Sequence, residues 1–240
     1  MERVKLLGVG FDAVDMKEAL SKVEALIRED RAALVVTPNP EMLVNASEVP
    51  ELKVALNAAD LVIADGIGVI YGAKMQGKPL HQRVTGIDLM TEILNSLSKS
   101  GGSYFLFGSK PGVAEQASKR IDRMFPGIRC AGYTDGYFKP EQEAGIIETI
   151  NAAKPDVLFV GLGSPKQEVW AHKHLGELHA PVCMCIGGAF DVYSGNVERA
   201  PSWVMKIGFE WLYRAIKEPV RFKRLLKIPI FLVKVIKEKE

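Results

Sequence analysis

Short runs of β-branched and apolar residues alternate along the chain with longer stretches whose apolar positions recur every three or four residues. The runs Val4–Val9, Ala33–Thr37, Leu61–Ala64, Ser103–Phe107, Ile128–Tyr133, Val157–Leu162 and Val182–Ile186 predict strands. Between them the pattern predicts helices near 16–29, 40–58, 67–77, 87–99, 111–125, 140–153 and 165–176. Regular alternation of this kind predicts an α/β fold, a Rossmann-like and mainly parallel sheet with helices on both faces. Ligands of such sheets bind at the carboxyl ends of the strands, so candidate chemistry is sought in the loops that follow them.

The pattern changes near Val197. From Lys206 to Glu240 ten Lys and Arg stand against four Asp and Glu, while the whole chain has 31 against 29. Residues 1–205 therefore carry 21 against 25, and a slightly acidic body ends in a cationic segment. Arg214, Lys217, Arg221 and Arg224 share one face of a helix. Among them lie Trp203, Phe209, Trp211, Leu212, Tyr213, Phe222, Leu225 and Leu226, then the apolar run Ile228–Val233. This predicts an α/β catalytic domain over 1–197 and a basic, aromatic helical appendage over 198–240, suited to an anionic membrane surface. Packing of the same aromatics on the protein core is equally compatible with the composition. The stretch Leu225–Ile236 is interrupted by Lys227, Pro229 and Lys234 and is shorter than the ~20 residues of a membrane span. The acidic body opposes nucleic acid. A homo-oligomer, with a neighbouring subunit covering the apolar segments, stays open.

At 48% hydrophobic and 25% charged residues the composition is that of an ordinary soluble protein. Met1–Gly8 shows no apolar signal region, which predicts a cytoplasmic chain. Cys130, Cys183 and Cys185 are an odd number and read as reduced core residues.

Three loops share a chemistry: Pro38-Asn39-Pro40-Glu41, Gly108-Ser109-Lys110-Pro111-Gly112, and Gly163-Ser164-Pro165-Lys166-Gln167-Glu168. Each sets a small or capping residue and then a proline at the mouth of a predicted helix, where exposed N–H groups bind phosphate. Capping loops also stabilise any parallel α/β protein, but three on one rim point to a phosphorylated or nucleotide ligand. Gly8-x-Gly10-x-x-Ala13 meets the loose dinucleotide fingerprint, yet the helix follows too late and the acidic residue expected after a second strand is missing. No cofactor is expected. Asp-x-Asp pairs are absent and His81, His172, His174 and His179 do not form a zinc pattern, so no metal is expected.

Asp65 ends the apolar run Leu61–Ala64 and precedes Gly66-Ile67-Gly68, which lets a ligand or another backbone come close. It suits a general base or, equally, a cap for the next helix. Arg83 can pair with a phosphate or with Asp88, and Asp191, after Gly187-Gly188, can hydrogen-bond a base or sugar.

Thr37-Pro-Asn-Pro-Glu41, Ala64-Asp-Gly-Ile-Gly68, Arg83-Val-Thr-Gly-Ile-Asp88, Gly161-x-Gly-x-Pro-x-Gln-Glu168, Gly187-Gly-Ala-Phe-Asp191 and Arg199-Ala-Pro201 through Glu210-Trp-Leu-Tyr-Arg214 to Glu218-Pro-x-Arg221 occur in that order. In these motifs, over nearly its whole length, the chain resembles the WecG/TagA/CpsF family of bacterial glycosyltransferases. Within that family the resemblance is greatest to enzymes of wall teichoic acid linkage-unit synthesis. It implies inverting, metal-independent transfer of N-acetylmannosamine from a UDP donor to undecaprenyl-diphosphate-linked GlcNAc, by a protein that its appendage holds peripherally on the inner face of the membrane. Asp65, Thr37, Asn39 and Arg83 are then the expected catalytic residues. Gly108, Ser109, Tyr137, Gly163, Gln167 and Asp191 are expected to bind substrate together with Arg214, Arg221 and Arg224, whose guanidinium forks suit either the donor or the acceptor diphosphate. A related transferase using UDP-ManNAcA, a phosphosugar hydrolase, and a membrane-tethered binding module without catalysis are the alternatives. Truncation after about Val197 is expected to leave a folded domain.

Overall fold

The structure, a computed structural model, describes residues 3–80, 82–201, 204, 212–213 and 226–239. Its centre is a six-stranded parallel sheet built from β3 (Ala33–Val36), β4 (Leu61–Val62), β5 (Ser103–Gly108), β6 (Arg129–Thr134), β7 (Val157–Gly161) and β8 (Val182–Cys185), in the order β4-β3-β8-β7-β5-β6. Successive side chains of a strand point to opposite faces, and here both faces are buried. Leu34, Val36, Phe105, Phe107, Leu158, Val160, Cys183 and Cys185 enter one core. Ala33, Val35, Tyr104, Leu106, Val157, Phe159, Val182 and Met184 enter the other.

Helices α1 (Met16–Leu26), α5 (Gly86–Ser100), α6 (Val113–Met124) and α9 (Ala189–Ser194) cover the second face. The first face carries α2 (Pro40–Ala46), α3 (Pro50–Ala58), α4 (Ile67–Met75), α7 (Glu143–Ala153), α8 (Lys166–His174) and α10 (Lys227–Lys239). The single helix expected over 40–58 is two, because Pro50 lacks an N–H to continue α2 and instead opens α3.

The first predicted strand is a hairpin outside the main sheet. β1 (Val4–Leu6) pairs antiparallel with β2 (Val9–Phe11), leaving Leu7 and Gly8 as a two-residue turn. Both have positive φ (50° and 74°), the backbone that a tight hairpin with right-handed twist requires. The Asp12 carboxylate secures this hairpin to the sheet edge by accepting from Val62 N–H at 2.9 Å while pairing with Lys22 and Arg3. Gly8 and Gly10 thus belong to the hairpin.

The last helix is part of the body. α10 packs on α2 and α4 with Phe231 and Val235 fully buried. Phe231 occupies the space that Gly72 leaves; a Cβ there would lie 2.7 Å from its ring. Glu238 Oε2 accepts from Leu7 N–H at 2.9 Å and Gln76 Nε2 at 2.8 Å. Lys227 pairs with Glu48 at 3.0 Å, and Lys234 donates to Ser47 Oγ at 2.9 Å. The opposite face of α10 exposes Ile230, Val233 and Ile236. Among the described residues no helix is long and apolar enough to cross a membrane. Arg214, Arg221 and Arg224, and the aromatics Trp203, Phe209, Trp211 and Phe222, lie outside the described residues.

Candidate active site

The sheet order sets the location. From β5 the chain leaves through α6 to β6, and from β7 it leaves through α8 in the opposite direction to β8. Adjacent strands with diverging connections make a topological switch point, where open α/β sheets bind ligands. Here the carboxyl ends of β5 and β7 touch. A Cβ on Gly108 would lie 2.4 Å from the Gly161 carbonyl, and Ser109 N–H donates to Gly161 O at 2.9 Å. Ser109 itself adopts φ 60°, a strained backbone of the kind that clusters at ligand clamps. An open cavity of about 490 Å³ lies beside it, lined by Gly136, Tyr137, Phe138, Lys139, Leu162 and Lys166. Tyr137 is exposed there, and Lys166 sits 4.1 Å from the Phe138 ring centre. The cavity thus offers an aromatic face and two cations, features that suit a nucleotide.

The second half of the site lies at the β3–β4 edge. Asp65 N–H donates to Pro38 O at 3.1 Å, which extends the pairing of β3 and β4 into their loops and sets Asp65 beside Thr37-Pro38-Asn39-Pro40. Two glycines allow the approach: Gly66, at φ 103°, and Gly68, where a Cβ would lie 2.7 Å from Pro40. Asp65 is half-buried. Thr37 is buried between the start of α5, 3.1 Å from the Cβ position of Gly86, and β8, where its hydroxyl donates to Cys185 O at 3.4 Å. Asn39 caps α2, its Oδ1 accepting from Met42 N–H at 3.0 Å, so its carbonyl is engaged within the fold. Val84 N–H donates to Ala64 O at 3.2 Å and so brings half-buried Arg83 next to Asp65 in the rim. Asp88 pairs with Arg199 at 2.8 Å.

Only the first of the three expected capping loops has the predicted form. α6 begins two residues after Pro111, behind Gly112 at φ 82°, and α8 begins behind Pro165; neither has a side-chain cap. Gln167 acts inside the protein: its Oε1 accepts from Gly163 N–H at 3.1 Å and Gly187 N–H at 3.2 Å. The Gly163 amide, which the sequence offered to phosphate, is thereby occupied. Asp191 is half-buried in the first turn of α9, beyond Gly187 and Gly188.

Sequence reasoning missed Glu168. It is fully buried, accepts from Gln167 Nε2 at 2.6 Å, and burial pushes its carboxyl up from the usual range, offset only in part by the hydrogen bonds of Gln167 and Ser164. A polar residue in the first turn of a helix reads as a solvated cap, so nothing in the string signalled its burial. The cysteines are free; burial holds the Cys183 thiol up at about 12, while Cys130 is only half-buried. His174 lies buried between Glu143 and Glu177, and His81 is outside the described residues. Among the described residues no group of three or more His, Cys, Asp or Glu is arranged to hold a metal ion.

Along the rim the order is Asp65, Thr37, Gly187, Gly163, Gly108, Tyr137. Five strand spacings separate the ends, roughly 24 Å. The site is therefore elongated, with an aromatic, cationic cavity towards one end and a carboxylate at the other.

Residues 4–240 match the family model described as the glycosyl transferase WecG/TagA/CpsF family. The chain is 40% identical over 209 residues to an N-acetylglucosaminyldiphosphoundecaprenol N-acetyl-beta-D-mannosaminyltransferase of Bacillus spizizenii, an alignment covering 87% of this chain and 80% of that protein. It is 36% identical over 208 residues to the Bacillus subtilis protein of the same name, with the same coverage. A Staphylococcus aureus protein, also of that name, is 34% identical over 239 residues, covering 99% of this chain and 93% of its own length. The parallel sheet, the rim constellation and these matches agree, and the chain belongs to the WecG/TagA/CpsF family of glycosyl transferases.

Proposed function

We propose that the chain transfers N-acetylmannosamine from UDP-N-acetylmannosamine to GlcNAc-diphosphoundecaprenol, the reaction for which its relatives are named and which belongs to wall teichoic acid linkage-unit synthesis. The observation that carries the reading is the pairing of Asp65 with the Thr37–Pro40 loop on the rim that also bears the switch-point cavity. The uracil stacks against Tyr137, the diphosphate lies over the turns at Gly108-Ser109 and Gly163, and the sugar points along the rim towards Thr37. Asp191 hydrogen-bonds the nucleoside or sugar.

Asp65 takes the proton of the acceptor hydroxyl as that oxygen bonds to the anomeric carbon. The bond from that carbon to the UDP oxygen breaks with its electron pair, and UDP departs from the opposite face, inverting the centre. Positive charge builds on the sugar ring and negative charge on the diphosphate. Arg83 and the appendage residues Arg214, Arg221 and Arg224 supply the cations, on the donor or the acceptor diphosphate. The lack of an Asp-x-Asp pair supports transfer without a divalent metal.

The exposed Ile230, Val233 and Ile236, with Lys237, suit the inner surface of an anionic bilayer, where each basic residue contributes roughly 1 kcal/mol.

The test is product formation from UDP-N-acetylmannosamine and a short polyprenyl-diphosphate-GlcNAc, with and without EDTA. A β-linked disaccharide lipid formed in EDTA is expected. UDP release at the same rate without acceptor would identify a hydrolase instead, and turnover that requires added magnesium would overturn metal independence.

A further inference from the structure

Gln167 and Glu168 form a buried polar pair inside an otherwise apolar layer. Glu168 is 0% exposed, and Gln167 is 3% exposed. The Glu168 Oε2 is sealed from solvent without a hydrogen bond of normal geometry, and among the described residues no cation pairs with this carboxyl. An ionised carboxylate in that position would be a buried charge with no counter-charge among the described residues, which proteins avoid by neutralising the group. Burial indeed shifts the equilibrium of Glu168 towards the protonated acid.

The neighbouring amide shows what the acid is for. Gln167 Oε1 accepts from Gly163 N–H and Gly187 N–H, which belong to the turns after the adjacent strands β7 and β8. Rotated by half a turn, the amide would set its own NH₂ against those two donors and lose both bonds. Glu168 Oε1 lies 2.6 Å from Gln167 Nε2 and accepts from it; with the acid proton on Oε2, this oxygen faces the NH₂ end as an acceptor and selects the working orientation. Both turns need that tie, since Gly163 and Gly187 have positive φ (79° and 55°) and lie beyond the ends of the sheet ladder.

We propose that Glu168 is the positioning residue of this site: as an uncharged acid it orients Gln167, which staples the β7 and β8 turns together beneath the donor. The part of this inference that concerns the donor rests on the function proposed above; the staple itself does not.

Amide hydrogen exchange at Gly163 and Gly187 reads the staple directly, and UDP affinity reads its consequence. In the full chain, E168Q keeps an acceptor facing Gln167 and adds no charge. It should leave both amides and UDP affinity within about twofold of wild type. E168L removes the acceptor and should speed exchange at both glycines, and weaken UDP, by about tenfold, matching Q167L. The E168L/Q167L double variant should be no worse than Q167L alone. If E168L does not fold, E168D carries the same expectation, since it keeps a carboxyl but withdraws it from Gln167. An E168Q protein as impaired as E168L would show that the ionised form is needed and overturn the proposal. A folded E168L or E168D protein with protected glycines would overturn it as well. Wild-type protein with protected glycines but no affinity for UDP would instead sink the donor reading and leave the staple standing.

Discussion

Arg199 Nη1 lies 2.8 Å from Asp88 Oδ1, and this ion pair fastens the start of the C-terminal segment to the first turn of α5. The same carboxylate accepts from the capping hydroxyl of Thr85 at 2.5 Å, and the next residue, Gly86, packs against Thr37. A chain of direct contacts thus runs from the root of the appendage to the rim that carries Thr37 and Asp65. Thr91 and Tyr193 add a hydroxyl contact of 2.7 Å between α5 and α9, shortly before that root.

A partly exposed pair of this kind contributes under about 1 kcal/mol to stability, so D88N and R199A should melt close to wild type. Transfer should suffer more, by about 10- to 100-fold, because a misdirected appendage displaces groups from a site that depends on their placement. Steady-state kinetics beside thermal melts separate the two effects. Equal, small losses in both would reduce the pair to an ordinary surface contact.

Asp65→Asn should lower turnover by about 10²–10⁴-fold, the range of a general base, and leave UDP affinity close to wild type. Isothermal titration with UDP and single-turnover transfer measure the two quantities. Near-normal turnover would assign the proton transfer to another carboxylate.

Phe231→Ala should destabilise the whole protein by about 3–5 kcal/mol, since it empties a closed site between α10 and Gly72. Truncation at Val197 should do at least as much, because it uncovers the α2–α4 surface on which α10 rests. The truncated chain would then be less stable than composition led us to expect. Chemical denaturation of both proteins gives the answer; wild-type midpoints would show that α10 is a dispensable tether.

Glu238 sits below its ordinary range in the folded protein. Partial burial raises it, and the hydrogen bonds from Gln76 and Leu7, with Lys78 nearby, outweigh that effect. A carboxyl held low in the native state stabilises it above the unfolded value, near 4.3, and loses that contribution as pH falls through the folded value. The difference in melting temperature between wild type and E238Q should therefore be constant above about pH 5 and shrink towards zero in more acidic buffer. A gap that grows on acidification would have the wrong sign.

The sheet was legible because strands buried on both faces read as continuous apolar runs, and six of the seven predicted strands belong to it. The exception, at Leu7-Gly8, hid because leucine rarely adopts positive φ and so gives no turn signal. Pro50 was a readable break that helical periodicity on both sides concealed. The placement of the site was legible for Asp65 and Thr37, which the loops after β4 and β3 do bring to one rim. It was illegible where burial decides, as for Glu168, or where partners are distant in sequence, as for Asp88 and Arg199. The basic, apolar tail admitted two readings, and in α10 the packing reading holds for the face of Phe231 and Val235. The face of Ile230 and Val233 is left exposed, and it is the one the membrane reading would need.

The docking of α10 also has a metric consequence. It rests on α2 and α4, and the latter begins two residues after Asp65. Nine helical residues, about 13 Å, span α4 from that end to Met75. A bilayer touching the outer face of α10 would therefore find Asp65, the proposed base, at a set altitude, held by packed helices and not by a slack tether. An acceptor whose reactive sugar protrudes a fixed way from its lipid would be met at that level, so the fold would select for headgroup length before any sugar is recognised.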